Sequence, residues 1–173
     1  HLPINKNTRP LKDLVKESIF NLIKHSNKID NNIKDSIILD LFSGSGSFGI
    51  ECLSQGAKKV TFVENYHEAI KILEKNLRSL KNIDNYEIIK NDCFFFFEYQ
   101  KKFNKKFDII FIDPPFREIK INEIIEKIKE QNLLKVNGIM IIHRHKNDDI
   151  RITKKVGVIE ERFYGISKIS FLG

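Results

Sequence analysis

The chain has few of the residues that would place it in a metal-binding, disulfide-bonded or membrane-spanning class. Its 173 residues include two cysteines, Cys52 and Cys93, which have neither the spacing nor the neighbouring histidines of a zinc site. They give no disulfide framework either, so we expect two small buried side chains in a reducing cytoplasm. The longest apolar run, residues 37–42, is interrupted by an acid and is far shorter than the roughly 20 residues of a transmembrane helix. We therefore expect a cytoplasmic protein with no metal and no membrane partner.

The sequence also has no internal repeat and no linker rich in Pro, Gly or Ser. A chain of this length can bury a substantial core but has no room for a second full domain, which predicts one domain over residues 1–173. Because the first residue is His1 and not a methionine, we expect a short native N-terminal segment to be missing from this sequence. The domain is expected to be a monomer.

Arginine is scarce in a chain that is otherwise basic. Lys and Arg number 30 against 23 Asp and Glu, for a formal net charge of +7, but six of the 30 cations are arginines. A positive charge favours a polyanionic partner, because cations that neutralise phosphates release condensed counterions. Since Arg makes the bidentate phosphate contacts, its scarcity makes the net charge a weak indication of nucleic-acid binding.

Short β-rich runs alternate with helical stretches along most of the chain. After an amphipathic helix predicted at 11–24, strands are predicted at 37–42, 60–64, 86–91, 107–113 and 138–144, with helices at 47–56, 67–80, 93–102 and 121–134. This alternation indicates a parallel sheet covered by helices on both faces. Residues 154–172 break it, because two strand-like runs flank Gly165 with no helix between them, which predicts a β-hairpin. The predicted fold class is α/β, a doubly wound Rossmann-like sheet, mostly parallel, with the antiparallel C-terminal hairpin strand typical of methyltransferases.

A glycine-rich loop follows the first predicted strand. Gly44, Gly46 and Gly49 satisfy the pattern G-x-G-x-x-G, and Glu64 stands 20 residues after Gly44 at the end of the second strand. Glycines permit the sharp turn from strand to helix and leave room for a ligand. An acid at the tip of the second strand can accept hydrogen bonds from two ribose hydroxyls. The pattern alone fits both a nicotinamide dinucleotide and S-adenosylmethionine.

Acids near this loop favour S-adenosylmethionine as the cofactor. Asp40 lies in the strand before the loop, where a carboxylate can receive a methionine ammonium group but would repel a pyrophosphate. After the third strand, Asp92 can accept a hydrogen bond from the adenine amino group and the Cys93 amide can donate to a ring nitrogen. Asp92 is also a candidate N-cap, and the two roles are compatible. The predicted cofactor site comprises Asp40, Phe42, Gly44, Gly46, Glu64, Asp92 and Cys93.

The sequence Asp113-Pro114-Pro115-Phe116 stands at the end of the fourth predicted strand. Two prolines make the chain leave the sheet stiffly at its carboxyl end, where open α/β folds bind ligands. An exocyclic base amine is a poor nucleophile, because its lone pair is delocalised into the ring. The Asp113 carboxylate and the Pro114 carbonyl can accept its two hydrogens and direct the lone pair at a methyl donor, while Phe116 stacks on the base. Asp113, Pro114 and Phe116 are the predicted catalytic residues.

These two motifs resemble those of the amino-group methyltransferases that act on nucleic-acid bases. Residues near both ends of the chain make the resemblance closest to the bacterial 16S ribosomal RNA guanine-N2 methyltransferases of the small subunit: Arg9-Pro10, Asp13, Val15, Glu17, Phe20-Asn21, Tyr164-Gly165 and Ser170-Phe171-Leu172. The resemblance covers essentially the whole chain. It implies transfer of a methyl group from S-adenosylmethionine to the amino group of one guanine in 16S rRNA, on a partly assembled 30S subunit.

Candidate RNA contacts and two departures from the family pattern complete this comparison. Arg9, Arg117 and Tyr164 are the candidate substrate residues, although Arg117 fits a structural ion pair equally well. Leu11 stands where the family commonly has Thr. The fifth strand ends in residues 143–145, His-Arg-His, near a point where the family often has an acid, so the role of that edge stays open.

Three alternatives stay open at this point. A methyltransferase of adenine in DNA or RNA, or of a protein glutamine, uses the same cradle, although such enzymes more often carry Asn at the position of Asp113. A nicotinamide-dependent oxidoreductase fits the glycine loop but leaves the Asp-Pro-Pro-Phe motif and the terminal hairpin unexplained. A non-catalytic RNA-binding module would be expected to have lost the loop or the cradle, and both are intact.

Overall fold

The computed structural model describes residues 13–102, 104–115, 120–148 and 157–173. In these ranges the chain forms five α-helices and seven β-strands. Their order is α1 (Asp13–His25), β1 (Ile37–Leu41), α2 (Ser47–Ser54), β2 (Lys59–Val63), α3 (His67–Arg78), β3 (Tyr86–Ile89), α4 (Cys93–Gln100), β4 (Phe107–Ile112), α5 (Ile121–Glu130), β5 (Leu134–His145), β6 (Val158–Tyr164) and β7 (Ser167–Leu172). Within the described part of the chain, no helix combines the length and the apolar character needed to cross a membrane.

The seven strands form one sheet in the order β3-β2-β1-β4-β5-β7-β6. Strands β1 to β5 are mutually parallel, whereas β7 runs antiparallel to β5 and to the edge strand β6. The predicted fold class is therefore confirmed, including the C-terminal hairpin. From β1 the chain moves outward through β2 to β3 and then returns to place β4 on the other side of β1. The boundary between β1 and β4 is thus the switch point of the topology, where folds of this kind bind ligands.

Burial on both faces explains the nearly continuous apolar character of the central strands. Helices α1, α2 and α3 cover one face of the sheet in a cluster that includes Phe48, Phe62 and Phe171. Helices α4 and α5 cover the other face in a cluster that includes Phe96 and Phe107. The consecutive phenylalanines of α4 cannot all face the core, because successive helical residues point in different directions. Phe96 and Phe97 are buried, whereas Phe95 is half exposed.

The boundary between α5 and β5 differs from the sequence prediction. The helix predicted at 121–134 ends at Glu130, and the strand predicted from residue 138 begins at Leu134. Asn132 adopts a left-handed φ of 52°, which ends the helix. Leu134, the first residue of β5, then pairs with Phe107 of β4. A register shift between Phe107 and Ile109 accommodates the extra residues of β5.

Phe48 is the side chain on which we expect the packing of the α1–α2 face to depend most. Its ring stacks between Phe20, at a centroid distance of 5.3 Å, and Phe111, at 4.1 Å. We predict that Phe48→Ala lowers the free energy of unfolding by about 3–5 kcal/mol, because it removes a buried ring and leaves a cavity. Urea denaturation measures the loss. The matched control is Phe95→Ala in α4, which should cost less than about 1 kcal/mol because that ring is half exposed; equal losses would contradict the assignment.

Candidate active site at the carboxyl ends of the strands

The predicted site residues that the structure describes lie at or near the carboxyl ends of the parallel strands, which we call the carboxyl edge. Residues 42–46, the glycine loop, follow β1, and Glu64 follows β2 directly. Asp92 and Cys93 lie between β3 and α4, and Asp113 follows β4. Three of the predicted residues, Phe116 in the catalytic group and Arg9 and Arg117 among the RNA contacts, lie outside the described residues.

Two glycines of the loop are required for different physical reasons. Gly44 has a φ of 55°, and a Cβ atom added there would meet no atom within 4 Å, so this backbone faces open space. Gly46 has a φ of 82° and precedes α2 as its N-cap, but a Cβ there would lie 2.4 Å from Cδ1 of Leu73. Phe42 also adopts a positive φ of 62°, which is rare for a non-glycine residue. The chain thus turns through left-handed conformations at three places between β1 and α2.

Glu64 joins the glycine loop to the residues that follow β2. Its Oε2 atom accepts a hydrogen bond of 2.7 Å from the Gly44 amide. Its Oε1 atom accepts bonds from the amides of Asn65, at 3.0 Å, and Tyr66, at 2.8 Å. Each carboxylate oxygen has two lone pairs, so these bonds fix the group without using its full capacity as an acceptor.

Asp40 lies inside the sheet, beneath the glycine loop, and is 1% exposed. Burial raises the pKa of its carboxyl group well above the ordinary value, and the hydrogen bond from the Gly49 amide, at 3.0 Å, lowers that pKa only in part. The nearby carboxylates of Asp113 and Glu64 raise the Asp40 pKa further by repulsion. The ends of β1, β2 and β4 therefore bring together three acids, Asp40, Glu64 and Asp113, which we call the carboxylate cluster.

The sequence left two compatible roles open for Asp92, a helix N-cap and a contact with the cofactor, and the structure shows the first. Its Oδ1 atom accepts hydrogen bonds from the amides of Phe94, at 2.8 Å, and Phe95, at 2.9 Å, which makes it the N-cap of α4. The residue is exposed at the carboxyl edge, whereas Cys93 is buried directly behind it.

The Asp-Pro-Pro turn leaves the sheet next to the glycine loop. Its first amide, that of Asp113, lies 3.4 Å from the carbonyl oxygen of Leu41. Pro114 is buried and Pro115 is exposed, while the Asp113 side chain is 19% exposed. The turn therefore presents its carboxylate to the space above the switch point while its proline anchors it to the core.

Two residues of β5 that the sequence did not assign contact this turn. His143 Nδ1 lies 2.8 Å from Asp113 Oδ1. Arg144 Nη1 donates to the Pro115 carbonyl at 2.8 Å, and its Nη2 atom forms an ion pair of 2.8 Å with Asp148. The pairing of β4 with β5 is the feature that brings His143 to this turn. Ile112 pairs with Ile142, so the residues that follow them, Asp113 and His143, lie next to each other.

Tyr164 lies farther along the same edge, at the end of β6. Its hydroxyl group forms a hydrogen bond with the Ser18 hydroxyl group, which ties the terminal hairpin to α1. The strands β5 and β7 separate it from β4 and the Asp-Pro-Pro turn. Contact between Tyr164 and RNA stays a prediction.

In residues 13–102, 104–115, 120–148 and 157–173, no group of three or more His, Cys, Asp or Glu side chains is arranged to hold a metal ion. The carboxylate cluster concentrates negative charge at the carboxyl edge, which fits a ligand that carries positive charge.

Sequence comparison with known proteins identifies relatives over nearly the whole chain. The family model described as Conserved hypothetical protein 95 matches residues 1–173. A protein named Ribosomal RNA small subunit methyltransferase D, from Buchnera aphidicola subsp. Baizongia pistaciae, is 36% identical over 86% of this chain and 71% of its own length. A protein of the same name from Haemophilus influenzae is 34% identical over 95% of this chain and 83% of its own.

Solved structures agree with this result. The yhhF protein of Escherichia coli superposes with a TM-score of 0.81 at 27% identity, over 99% of this chain and 89% of its own. A conserved hypothetical protein of Streptococcus pyogenes superposes with a TM-score of 0.77 at 27% identity, over 91% of this chain and 94% of its own.

The raised pKa of Asp40 predicts a specific dependence of stability on pH. A carboxyl group whose pKa is higher in the folded state binds more protons there, so its contribution to stability falls as pH rises above the ordinary carboxyl range. We predict that Asp40→Asn gains stability relative to the wild type as pH rises, by about 1.4 kcal/mol for each unit by which the pKa is raised.

Urea denaturation between about pH 4 and about pH 8 measures this difference. The matched control is Asp84→Asn, which makes the same substitution at an exposed aspartate, and the gain with pH should be larger for Asp40→Asn. Parallel stability curves for Asp40→Asn and the wild type would contradict the prediction.

Proposed function

Because this chain belongs to the Conserved hypothetical protein 95 family and is similar over most of its length to proteins named Ribosomal RNA small subunit methyltransferase D, we propose that it methylates the exocyclic amino group of a guanine in 16S rRNA. The membership confirms the resemblance drawn from the sequence. Methylation of ribosomal RNA with S-adenosylmethionine as the donor follows from the family. The guanine amino group as the acceptor is the finer part of the proposal, and the observation that carries it is the Asp-Pro-Pro turn beside the glycine loop.

The residues present fit S-adenosylmethionine better than a nicotinamide dinucleotide. The cofactor supplies, when bound, an electrophilic methyl group on a positively charged sulfur, and it also carries an ammonium group. Cationic groups offset the mutual repulsion that raises the pKa of Asp40 in the carboxylate cluster. A pyrophosphate would add negative charge at the same place, so the cluster disfavours the oxidoreductase alternative.

The glycine loop and its neighbours provide the places for the parts of the cofactor. Gly44 has open space where a side chain would otherwise stand, which allows a ligand to approach the backbone closely. Glu64, fixed by three backbone amides, is assigned to the ribose hydroxyls. Asp92 and the Cys93 amide are assigned to the adenine ring. Asp40 is assigned to the ammonium group, and because Asp40 is buried beneath the loop, this interaction is electrostatic and acts over a longer range than a hydrogen bond.

The Asp-Pro-Pro turn activates the acceptor amine. The Asp113 carboxylate and the Pro114 carbonyl accept the two N–H bonds of the amino group, so its lone pair is held in line with the methyl group. Bound S-adenosylmethionine would supply the methyl group, whose bond to sulfur would break as its bond to the amine nitrogen forms. The nitrogen becomes acidic only after it is methylated, so its proton then leaves to Asp113 or to water. No general base with a strongly shifted pKa is required for this sequence of events.

The partner proposed for this site is 16S rRNA, either free or within an assembling 30S subunit. The proteins named Ribosomal RNA small subunit methyltransferase D support an RNA acceptor, and the net charge of +7 is compatible with one. The protein is proposed to act as a monomer, and Phe116 is proposed to stack on the target base as its place in the sequence predicts.

Incubation with radiolabelled S-adenosylmethionine tests the proposal. Unmethylated 30S subunits, free 16S rRNA and DNA are offered in parallel, and the modified base is then mapped. We expect label on the amino group of one guanine in the rRNA or the subunit. Label on adenine, on DNA or on protein would replace the proposed acceptor with one of the other amino-group substrates.

Asp113 is predicted to contribute to methyl transfer and little to cofactor binding. We predict that Asp113→Ala lowers kcat by about 10²–10³-fold, because it removes an acceptor aligned with the reacting amine. Single-turnover methylation measures the rate, and calorimetry measures the affinity for S-adenosylmethionine, which should change by less than about fivefold. An equal loss of rate and cofactor affinity would contradict the assigned role.

Glu64 is predicted to have the opposite effect. Glu64→Ala should weaken S-adenosylmethionine binding by about 10-fold to 100-fold, because the ribose loses a charged acceptor and the Gly44 amide loses its partner. The matched control is Glu68→Ala in α3, which changes an exposed glutamate paired with Lys71. Calorimetry that gives the same affinity for both variants would remove the ribose contact from the proposal.

A further inference from the structure

Two consecutive residues of β5 hold the two ends of the Asp-Pro-Pro turn. His143 Nδ1 lies 2.8 Å from the side chain of Asp113, and Arg144 Nη1 lies 2.8 Å from the carbonyl oxygen of Pro115. Successive strand residues point to opposite faces of a sheet, so the two contacts approach the turn from opposite sides. The turn is therefore held at its carboxylate and at its backbone by the neighbouring strand.

Burial makes both contacts rigid. The side chain of His143 is 10% exposed and that of Arg144 is 4% exposed. The Arg144 guanidinium is itself fixed, because Asp148 pairs with its second terminal nitrogen. Hydrogen bonds shielded from water in this way are stronger than exposed ones and leave their partners few alternative conformations.

The two oxygens of the Asp113 carboxylate can serve different hydrogen-bonding partners, His143 at Oδ1 and a substrate amine at Oδ2. A carboxylate only accepts hydrogen bonds, so the His143 Nδ1 atom donates its hydrogen to Oδ1. The other oxygen, Oδ2, is then directed to the amino group of the base. Without His143 the carboxylate can rotate about its last side-chain torsion, and the alignment that in-line transfer needs is lost part of the time.

We propose that His143 is a positioning residue for methyl transfer, which orients the Asp113 carboxylate so that Oδ2 meets the acceptor amine. This inference rests on the proposed function, because it assigns a role within the same site. His143 acts through Asp113 and contacts neither the base nor the reacting methyl group. Arg144 supports the same alignment by fixing the backbone of the turn on its other side.

Substitution of His143 separates positioning from packing. In His143→Leu the donor is lost while a side chain of similar bulk remains, whereas in His143→Asn the amide nitrogen can occupy nearly the position of Nδ1. The full chain is assayed with rRNA and radiolabelled S-adenosylmethionine under single-turnover and steady-state conditions. The matched control is His25→Leu, which makes the same change at the exposed end of α1.

We expect His143→Leu to lower kcat by about 10–100-fold, with the KM for RNA and the affinity for S-adenosylmethionine changed by less than about threefold. His143→Asn should recover a rate within about fivefold of the wild type, and His25→Leu should match the wild type. A leucine variant as fast as the wild type, an asparagine variant as slow as the leucine variant, or a loss confined to KM or to cofactor affinity would overturn the inference. A wild-type protein that transfers no label to rRNA would instead overturn the proposed function.

Discussion

The parallel pairing of β1 with β4 is the constraint on which the rest of the site depends. Leu41 pairs with Ile112, so the glycine loop and the Asp-Pro-Pro turn begin side by side although about 70 residues separate them in the chain. The chain returns from β3 to the opposite side of β1 to make this pair, which places the switch point between a cofactor loop and a base cradle. The proposed function needs a methyl donor at the first and an amine at the second, and this strand pairing places the two motifs side by side.

The same pairing concentrates negative charge. Asp40, Glu64 and Asp113 come from three neighbouring strands, and their repulsion adds to burial, the larger cause, in raising the pKa of Asp40. Such a cluster reduces the stability of the protein at neutral pH, and a cationic ligand offsets part of that reduction when it binds. Repulsion among the three carboxylates therefore both lowers the local stability and favours the binding of a positively charged ligand.

The fold could be predicted from the sequence because its signals are local. Alternating strand and helix patterns, the glycine loop and the prolines after β4 each depend on a few adjacent residues. The end of α5 was predicted four residues too late, because Asn132, which ends the helix in a left-handed turn, is followed by two leucines that continue the apolar spacing. The contact between His143 and Asp113 could not be predicted from patterns of this kind, since it depends on the register of two strands whose contacting residues are 30 positions apart.

The histidine at the end of β5 changes the electrostatics of the cradle in a defined way. The family that this chain resembles often has an acid near the end of this strand. A carboxylate at residue 143, at the distance seen here, would repel the Asp113 carboxylate and could not donate a hydrogen bond to it. A histidine donates a hydrogen bond instead, so Asp113 can accept one bond from the protein and keep its other oxygen for the substrate. The departure from the family pattern is therefore compatible with the proposed chemistry, in which we propose that His143 of the neighbouring strand orients Asp113.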